Sequence, residues 1–202
     1  MKKVGVLGCT GEIGKRIVEL LQKNYSVKAG FHKVNPDKMW SSVEYSQFDI
    51  HDRKRLTFFI QECYIVINCA GASFIDGMYV AQICSDTGAI YIDPFGANYL
   101  EQEIRKANVP GTFILSCGCF PGFTGLAMKY LCDSYESVNS ISGICIDRQI
   151  PGVNGIIDFI ISGLKGFGET SYYYYAGNKK YCLLYTSPSP RDRTRSRMPS
   201  SA

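Results

Sequence analysis

Hydrophobic positions along the chain follow two alternating periods. Short apolar runs such as Lys3–Leu7 and Tyr64–Cys69 have the length of buried strands, while Glu12–Lys23 between them repeats apolar residues at helical spacing. Strands that alternate with helices through short connections are typical of a mostly parallel sheet covered by helices. We therefore predict a doubly wound α/β fold over residues 1–135.

The predicted elements follow one another regularly in this region. Strands are predicted at Lys3–Leu7, Ser26–Gly30, Glu44–Phe48, Tyr64–Cys69, Ala89–Asp93 and Thr112–Cys117. Helices are predicted at Glu12–Lys23, Asp52–Gln61, Ile75–Thr87 and Asn98–Ala107. The apolar positions expected to face the sheet from the first helix are Ile13, Ile17, Leu20 and Leu21. A further helix, expected to leave the first domain, has an apolar face made by Phe123, Leu126, Ala127, Tyr130 and Leu131.

A second, smaller unit is predicted to begin after residue 135. Val138–Asp147 and Tyr172–Tyr175 have the pattern of strands, and Ile156–Leu164 has that of a helix. We expect residues 136–181 to be the start of an incomplete α+β domain that would contact substrate.

Residues 182–202 carry most of the net charge. The formal charge is +4, and +3 of it comes from this segment through Arg191, Arg193, Arg195, Arg197 and Asp192. A basic tail of this kind would suggest nucleic-acid binding. We reject that interpretation because Cys182–Asp192 is what a transposon-end sequencing adapter encodes when it is read in frame. We expect an artefactual tail, a natural sequence cut short near Tyr181, and no nucleic-acid partner.

Length and composition narrow the remaining classes. A chain of 202 residues with 46% hydrophobic content can bury roughly 70% of its unfolded surface. No run approaches the roughly eighteen apolar residues of a membrane span, and Met1–Lys3 leads into a strand without a signal peptide. The nine cysteines lie mostly in apolar segments without a C-x-x-C pair, which predicts no metal site and a reducing compartment. We expect a cytoplasmic protein with no membrane partner; a Cys117–Cys119 redox pair is the alternative use of two thiols.

The segment Gly8–Gly14, with the sequence GCTGEIG, joins a predicted strand to a predicted helix. Gly8 allows a sharp turn, Gly11 allows close approach of a ligand, and Gly14 lets the helix lie against the sheet. The amino end of the helix then faces a pyrophosphate. An ordinary glycine-rich turn is the alternative, but the flanking elements favour a dinucleotide site formed by Gly8, Cys9, Thr10, Gly11, Glu12, Ile13 and Gly14.

The residues after the second strand favour NADP over NAD. An NAD site has an acidic residue there for the ribose hydroxyls, whereas this chain has His32 and Lys33, which suit a 2′-phosphate. Asp37, a few residues later, argues for NAD. We predict that Asp49 and Ile50 after the third strand contact the adenine, with His51 as an ordinary loop histidine.

Three further motifs extend the pattern: Val66–Ala72 (VINCAGA), Ala89–Asp93 (AIYID) and Ser116–Gly122 (SCGCFPG). Together with GCTGEIG they resemble the Rossmann-like NADP-binding domain of the saccharopine dehydrogenase family, from residue 3 to about residue 168. Ile160–Gly168 resembles the early part of that family's second domain. The resemblance implies a reductase or dehydrogenase acting on a C–N bond of an amino-acid-like substrate.

The resemblance also implies which turn lies beside the nicotinamide ribose, namely Cys69, Ala70 and Gly71. Two departures from the family are visible. Ala72 stands where many relatives have Pro, and the Arg that relatives carry near Phe31 or His32 is absent. The NADP prediction therefore depends on His32 and Lys33.

Candidates for the reaction site lie where strands end. Asp93 and Cys117 follow two predicted strands, and an open α/β sheet binds its ligand at that edge. Arg148 could pair with a substrate carboxylate. The alternatives are that Asp93 caps the turn at Pro94 and that Arg148 pairs with Asp147. No catalytic acid or base is assigned.

Two other functions stay open at this stage. Asn68–Gly71 also suggests a short-chain dehydrogenase, and Tyr175 and Lys179 have the spacing of its Tyr-x-x-x-Lys pair, although Gly177 and Asn178 argue against a helix there. A dinucleotide-binding sensor without turnover is the second alternative, because fold does not establish function. The expected partners are a small-molecule substrate and, in a homo-oligomer, a second copy of the chain.

Overall fold

The computed structural model describes residues 3–119, 122–139 and 141, with residues 153, 156–157, 160, 164, 172–175 and 178–181 beyond them. Most of the predicted strand Val138–Asp147, most of the predicted helix Ile156–Leu164, and residues 182–202 lie outside this description. Val138 and Asn139, which are described, are not in a strand.

Six parallel strands form the sheet. They are β1 Lys3–Leu7, β2 Val27–Phe31, β3 Val43–Gln47, β4 Cys63–Asn68, β5 Ile90–Asp93 and β6 Phe113–Leu115. Their spatial order is β3-β2-β1-β4-β5-β6, and all five neighbouring pairs are parallel. The chain therefore moves outward from β1, then returns to the other side of β1 at β4, which confirms the doubly wound fold.

The five helices of the first 133 residues also agree with the predicted pattern. They are α1 Glu12–Leu21, α2 Arg53–Gln61, α3 Ser73–Thr87, α4 Ala97–Lys106 and α5 Phe123–Asp133. Local chemistry sets several ends. The Asp52 carboxylate accepts a hydrogen bond from the Arg55 amide at 3.2 Å and caps α2. Gly88, with φ of +73°, ends α3 in the left-handed conformation.

The sheet is buried on both faces. Leu7, Phe59, Val66, Val80 and Tyr91 belong to one core, which packs against α2 and α3. The second core lies on the α1 face and contains Val6, Cys9, Val18, Val27 and Ala29. Successive strand residues point to opposite faces, so Val6 and Leu7 enter different cores. This explains why the strands read as continuous apolar runs.

Two predicted apolar helix faces differ from the structure. In α1, Gly14 and Val18 are buried, whereas Ile13 is 56% exposed and Leu20 is 64% exposed. The prediction that Ile13 and Leu20 face the sheet was therefore wrong, because the packed face is turned toward Gly14, which lets the helix approach closely. In α5 no residue is buried, so its predicted apolar face lies exposed.

A separate unit, starting at Gly168, contains a hairpin. β7 Tyr172–Tyr175 pairs antiparallel with β8 Asn178–Tyr181, and Tyr175 lies opposite Asn178. Tyr172–Tyr175 is thus a strand as predicted. Tyr175 and Lys179 lie on two strands rather than on one helix, which differs from the helical Tyr-x-x-x-Lys arrangement of a short-chain dehydrogenase. Among the described helices, none has the length and hydrophobicity needed to cross a membrane.

Matched leucine truncations test the assignment of core and surface. Leu56→Ala removes a side chain with 0% exposure, and Leu20→Ala removes one with 64% exposure. We expect the first to lower the free energy of unfolding by about 2–5 kcal/mol and the second by less than about 0.5 kcal/mol. Urea unfolding of both variants provides the measurement. Equal losses would contradict an orientation of α1 in which Leu20 faces solvent.

Candidate functional site

Two turns meet above the centre of the sheet. The turn from β1 to α1 contains Gly8, whose φ is +72°. A side-chain carbon added to Gly8 would collide with the Cys69 carbonyl and lie 2.8 Å from the Ala70 nitrogen. One added to Gly14 would collide with the Gly8 carbonyl group. The backbone of the β1–α1 turn therefore packs directly on the turn that follows β4, and side chains at these glycines would separate them.

The amino end of α1 has no side-chain cap. Gly11 is the N-cap residue and offers no oxygen to the first-turn amides. The first four N–H groups of a helix lack intrahelical partners and lie at the positive end of its dipole. Such an end suits the phosphate oxygens of a nucleotide.

The turn after β4 is held by hydrogen bonds from its own strand and from β1. The Asn68 side-chain oxygen accepts from the Ala70 amide at 3.2 Å. The Cys69 amide donates to the Leu7 carbonyl at 3.0 Å. Gly71 then adopts a φ of +68°. These contacts place Cys69, Ala70 and Gly71 beside the glycine turn of α1.

The two turns and the end of β2 enclose a cleft of about 270 Å³. Eight residues predicted to bind the cofactor line it: Gly8, Thr10, Gly11, His32, Ile50, Cys69, Ala70 and Gly71. Four residues that the sequence did not single out complete the lining: Leu7, Gly30, Phe31 and Phe48. The Phe48 ring would lie 3.1 Å from a side-chain carbon on Gly30, a contact that requires the pairing of β2 with β3.

Six other predicted cofactor residues do not line the cleft. The Cys9 side chain is 3% exposed and belongs to the α1-side core, where burial raises its pKa to about 11. Its amide donates to the Gly30 carbonyl at 3.0 Å. Glu12 forms an ion pair with Lys15, and Ile13 is exposed. Gly14 is on the buried face of α1. Lys33 and Asp49 are exposed beside the end of β2.

Charged side chains surround Asp49 at this end of the cleft. Asp49 Oδ2 lies 3.5 Å from His32 Nε2, and Asp49 Oδ1 lies 3.4 Å from His51 Nδ1. His51 Nε2 is in turn 3.2 Å from Asp76 Oδ1. The pKa of Asp49 is held below its ordinary value, first by the hydrogen bond from the His51 amide and then by the charges of His32, His51 and Lys33. The sequence did not suggest Asp76, which α3 brings to this loop.

A second cavity, of about 250 Å³, lies between α1 and the loop that follows β2. It shares Thr10 with the cleft, and Lys15, Arg16 and Lys38 are among its lining residues. Lys38 Nζ lies 3.7 Å from the centre of the Trp40 ring, a cation–π geometry. Lys38 was not singled out from the sequence because the β2–β3 loop, which contains it, has no motif.

Asp93 is the last residue of β5, at the carboxyl edge of the sheet. It is 1% exposed, and its carboxylate accepts from the Tyr91 hydroxyl at 2.7 Å, the Ser73 hydroxyl at 2.9 Å and the Phe95 amide at 2.8 Å. Burial raises its pKa above the ordinary value, although these hydrogen bonds oppose the shift. This geometry supports the turn-capping interpretation and does not support Asp93 as a residue that contacts substrate.

The Tyr91 hydroxyl links Asp93 to the turn that follows β4. It accepts a hydrogen bond from Asn68 Nδ2 at 3.0 Å, and the other end of the Asn68 amide accepts from Ala70. A buried polar network of this kind is stabilising when every member has a partner. Hydrogen bonds thus connect Asp93, through Tyr91 and Asn68, to the turn that lines the cleft.

Two thiols lie near the ends of β4 and β6. Burial, with smaller contributions from Asp93 and Cys117, raises the pKa of Cys69 to about 12. Burial also raises the pKa of Cys117, whose Sγ donates to the Asp93 carbonyl at 3.4 Å. Both thiols are therefore protonated at neutral pH, which disfavours them as nucleophiles. Arg148 lies outside the described residues.

The fold and the cleft together define a dinucleotide-binding α/β domain. The model of the saccharopine dehydrogenase NADP-binding domain matches residues 4–109, more than half of the 202-residue chain. The chain belongs to this family. No curated protein matches it in sequence.

A solved structure supports this fold. Apo saccharopine dehydrogenase (L-Glu forming) from Saccharomyces cerevisiae has 14% identity and a TM-score of 0.53, over 66% of this chain and 31% of that one. Uronate dehydrogenase from Agrobacterium tumefaciens has 19% identity and a TM-score of 0.41, over 46% and 40%. An isoflavone reductase has 21% identity and a TM-score of 0.45, over 56% and 48%. The chain spans less than half the length of each of these proteins.

The described residues fit NADP, the cofactor of this family. Gly8 and Gly14 let the two turns and the start of α1 pack in direct backbone contact, α1 presents an uncapped amino end, and the cleft continues to His32 at the end of β2. When bound, the cofactor would supply a nicotinamide ring able to carry hydride.

Replacing Gly11 separates cofactor binding from folding. A side-chain carbon at Gly11 would meet only the Gly8 carbonyl oxygen, at 3.4 Å, and the residue has an extended conformation that alanine adopts. We expect Gly11→Ala to change the free energy of unfolding by less than about 1 kcal/mol. The added methyl group should weaken NADPH binding at least about tenfold, because it occupies the approach of the pyrophosphate. Titration calorimetry and urea unfolding measure the two effects.

Gly14→Ala is the contrasting variant, and Gly125→Ala is the control. At Gly14 the methyl group would collide with the Gly8 backbone, whereas nothing lies within 4 Å of the position at Gly125. Gly14→Ala should therefore lose both stability and binding, and Gly125→Ala neither. Unchanged NADPH affinity in Gly11→Ala would contradict a pyrophosphate site at the Gly8–Gly14 turn.

The raised pKa of Asp93 predicts a pH dependence of stability. The folded protein holds this proton more tightly than the unfolded chain, so the unfolded chain loses it first as pH rises above the ordinary value of 3.8. The free energy of unfolding of the wild type, relative to Asp93→Asn, should fall over that range and level off above the raised pKa. Urea unfolding at several pH values measures this. A difference in free energy of unfolding that stays constant with pH would contradict the raised pKa of Asp93.

Proposed function

We propose that this chain is the cofactor-binding part of an NADP-dependent oxidoreductase that transfers hydride at a C–N bond of an amino-acid-like substrate. The observation that carries the proposal is the cleft formed by the glycine turn of α1 against the Cys69–Gly71 turn, in a chain of the saccharopine dehydrogenase NADP-binding family. The C–N chemistry follows from the family resemblance.

In the proposed complex the pyrophosphate binds at the amino end of α1, along the backbone of residues 8–14. The adenosine 2′-phosphate lies beside His32 and Lys33, and the adenine lies beside Asp49 and Ile50. The nicotinamide ribose contacts Cys69, Ala70 and Gly71, which lie at the carboxyl edge of the sheet where open α/β folds bind ligands. Cys117 stays a candidate for contact with substrate.

The proposed division of labour leaves proton transfer to residues after α5. Asp93 is buried and fully hydrogen-bonded, and the Cys69 and Cys117 thiols are protonated at neutral pH. These observations also favour the second candidate, a dinucleotide sensor without turnover. The two functions differ in whether the second domain presents polar groups to the nicotinamide. We propose that the protein is cytoplasmic and acts on a small-molecule substrate. This proposal is compatible with a homo-oligomer.

Cofactor binding and turnover can be measured separately. We expect the 202-residue chain to bind NADPH in about the micromolar range and to show no turnover, because we propose that most of the substrate domain follows Tyr181 in the natural sequence. A protein extended by those residues should oxidise NADPH in the presence of cyclic or amino-acid-derived imines. Loss of the near-ultraviolet absorbance of the reduced nicotinamide reports the reaction.

The outcomes distinguish the candidate functions. Turnover by the extended protein supports the oxidoreductase. Tight NADPH binding without turnover across a panel of imines and ketones would favour the sensor. Absence of NADPH binding by either protein would contradict both functions.

A further inference from the structure

The two histidines of the chain converge on one carboxylate beside the adenosine end of the cleft. His32 follows directly after β2 and lines the cleft, with its Nε2 3.5 Å from Asp49 Oδ2. His51 lies on the other side of Asp49, and its amide donates to Asp49 Oδ1 at 2.9 Å. Both histidine rings therefore lie beside Asp49. Of these two histidines, His32 lines the cleft and His51 does not.

We propose that His32, paired with Asp49, is the residue that distinguishes NADP from NAD in this chain, and that it does so only while its imidazole is protonated. The proposal rests on the NADP-binding part of the proposed function and is independent of hydride transfer. Its consequence is a cofactor preference that weakens as pH rises.

The chemistry of the two nucleotides makes this residue decisive. NADP differs from NAD by a phosphate on the adenosine ribose, which carries nearly two negative charges at neutral pH. In this fold the ribose lies at the end of the second strand, where His32 stands. A protonated imidazole can donate a charge-assisted hydrogen bond to that phosphate. A neutral imidazole leaves the phosphate facing the Asp49 carboxylate.

The groups around His32 strengthen the effect. Asp49 and His51 face it from the loop after β3, Asp76 faces the same cluster from α3, and Lys33 is its neighbour in sequence. With both imidazole rings protonated, the cluster has three positive charges and two negative ones. The positive charges are on His32, His51 and Lys33, and the negative charges are on Asp49 and Asp76. With both rings neutral, Lys33 is the one positive charge of this cluster against two carboxylates. The net charge of the cluster therefore changes from positive to negative. Histidine ordinarily undergoes this change near physiological pH.

A lysine-based site would behave differently. Lys33 is exposed beside the cleft, and Lys38 lines the neighbouring cavity that shares Thr10. A lysine side chain ordinarily keeps its charge throughout the physiological range, as would the Arg that relatives carry near this position. Recognition of the phosphate by either lysine would give a preference for NADPH that pH does not remove. The pH profile therefore identifies the residue responsible.

Titration calorimetry with NADPH and NADH, at about pH 6 and about pH 8.5, tests the proposal on the 202-residue chain. We expect the ratio of the NADH dissociation constant to that of NADPH to fall at least about tenfold between the two pH values. NADPH binding near pH 7.5 should also take up protons, so its heat should depend on the ionisation enthalpy of the buffer. NADH binding should not.

Two variants provide the matched comparison. His32→Gln should have a low ratio that varies little with pH, since only the titration of the nucleotide's own phosphate remains. His51→Gln should keep the pH dependence, because its ring contacts Asp49 without lining the cleft. Both histidines are more than half exposed, so neither replacement removes a core contact, and thermal unfolding checks this.

Three results would overturn the proposal: a constant ratio in the wild type, an undiminished pH dependence in His32→Gln, or its loss in His51→Gln alone. In each of these cases NADPH still binds, so the proposed function survives. Absence of NADPH binding at every pH would contradict the NADP-binding function itself and, with it, this proposal.

Discussion

The contact between Gly8 and the Cys69–Ala70 peptide is the constraint on which the cleft depends. β1 and β4 are neighbours in the sheet although the chain between them forms β2, β3 and α2, and their carboxyl ends are aligned so that Leu7 lies opposite Asn68. The chain leaves these two ends in opposite directions, which opens the crevice where this fold binds its ligand. Because Gly8 has no side chain, the two turns touch, and the amino end of α1 points into the crevice.

That contact needs support from below, and a buried polar network supplies it. Asn68 would be costly to bury without partners, but its oxygen accepts from the Ala70 amide and its nitrogen donates to Tyr91. The Tyr91 hydroxyl in turn donates to Asp93 Oδ2. The other oxygen, Asp93 Oδ1, accepts from the Ser73 hydroxyl and the Phe95 amide. The ends of β4 and β5 and the start of α3 are thereby joined. The carboxyl edge of the sheet is built by side chains that no ligand needs to touch.

The sequence was sufficient for the features that local residues determine. The strand runs, the helices and the glycine turn each depend on residues within one segment, and their alternation predicted a doubly wound sheet. What the sequence did not show depends on pairing between distant segments. Phe48 enters the cleft because β3 pairs with β2, and Asp76 meets His51 because α3 lies beside the loop after β3. The misassigned Ile13 and Leu20 have a different, local cause: the glycine motif placed Gly14 against the sheet, whereas the apolar spacing of α1 was interpreted separately and favoured a face that includes Ile13 and Leu20.

Asp93 and His32 illustrate how residues at strand ends divide between structure and recognition. Both follow or end a strand at the same edge of the sheet, yet Asp93 is 1% exposed with its oxygens occupied, whereas the side chain of His32 is 51% exposed beside the cleft. Position at the edge of the sheet therefore does not by itself make a residue functional. Its burial and its hydrogen-bond partners decide whether its side chain can reach a ligand. Asp93 is connected through Tyr91 and Asn68 to the turn that would contact the nicotinamide ribose. The His32 ring lies 3.5 Å from Asp49 on a surface that is open to a nucleotide, so a change in its charge can reach a ligand directly.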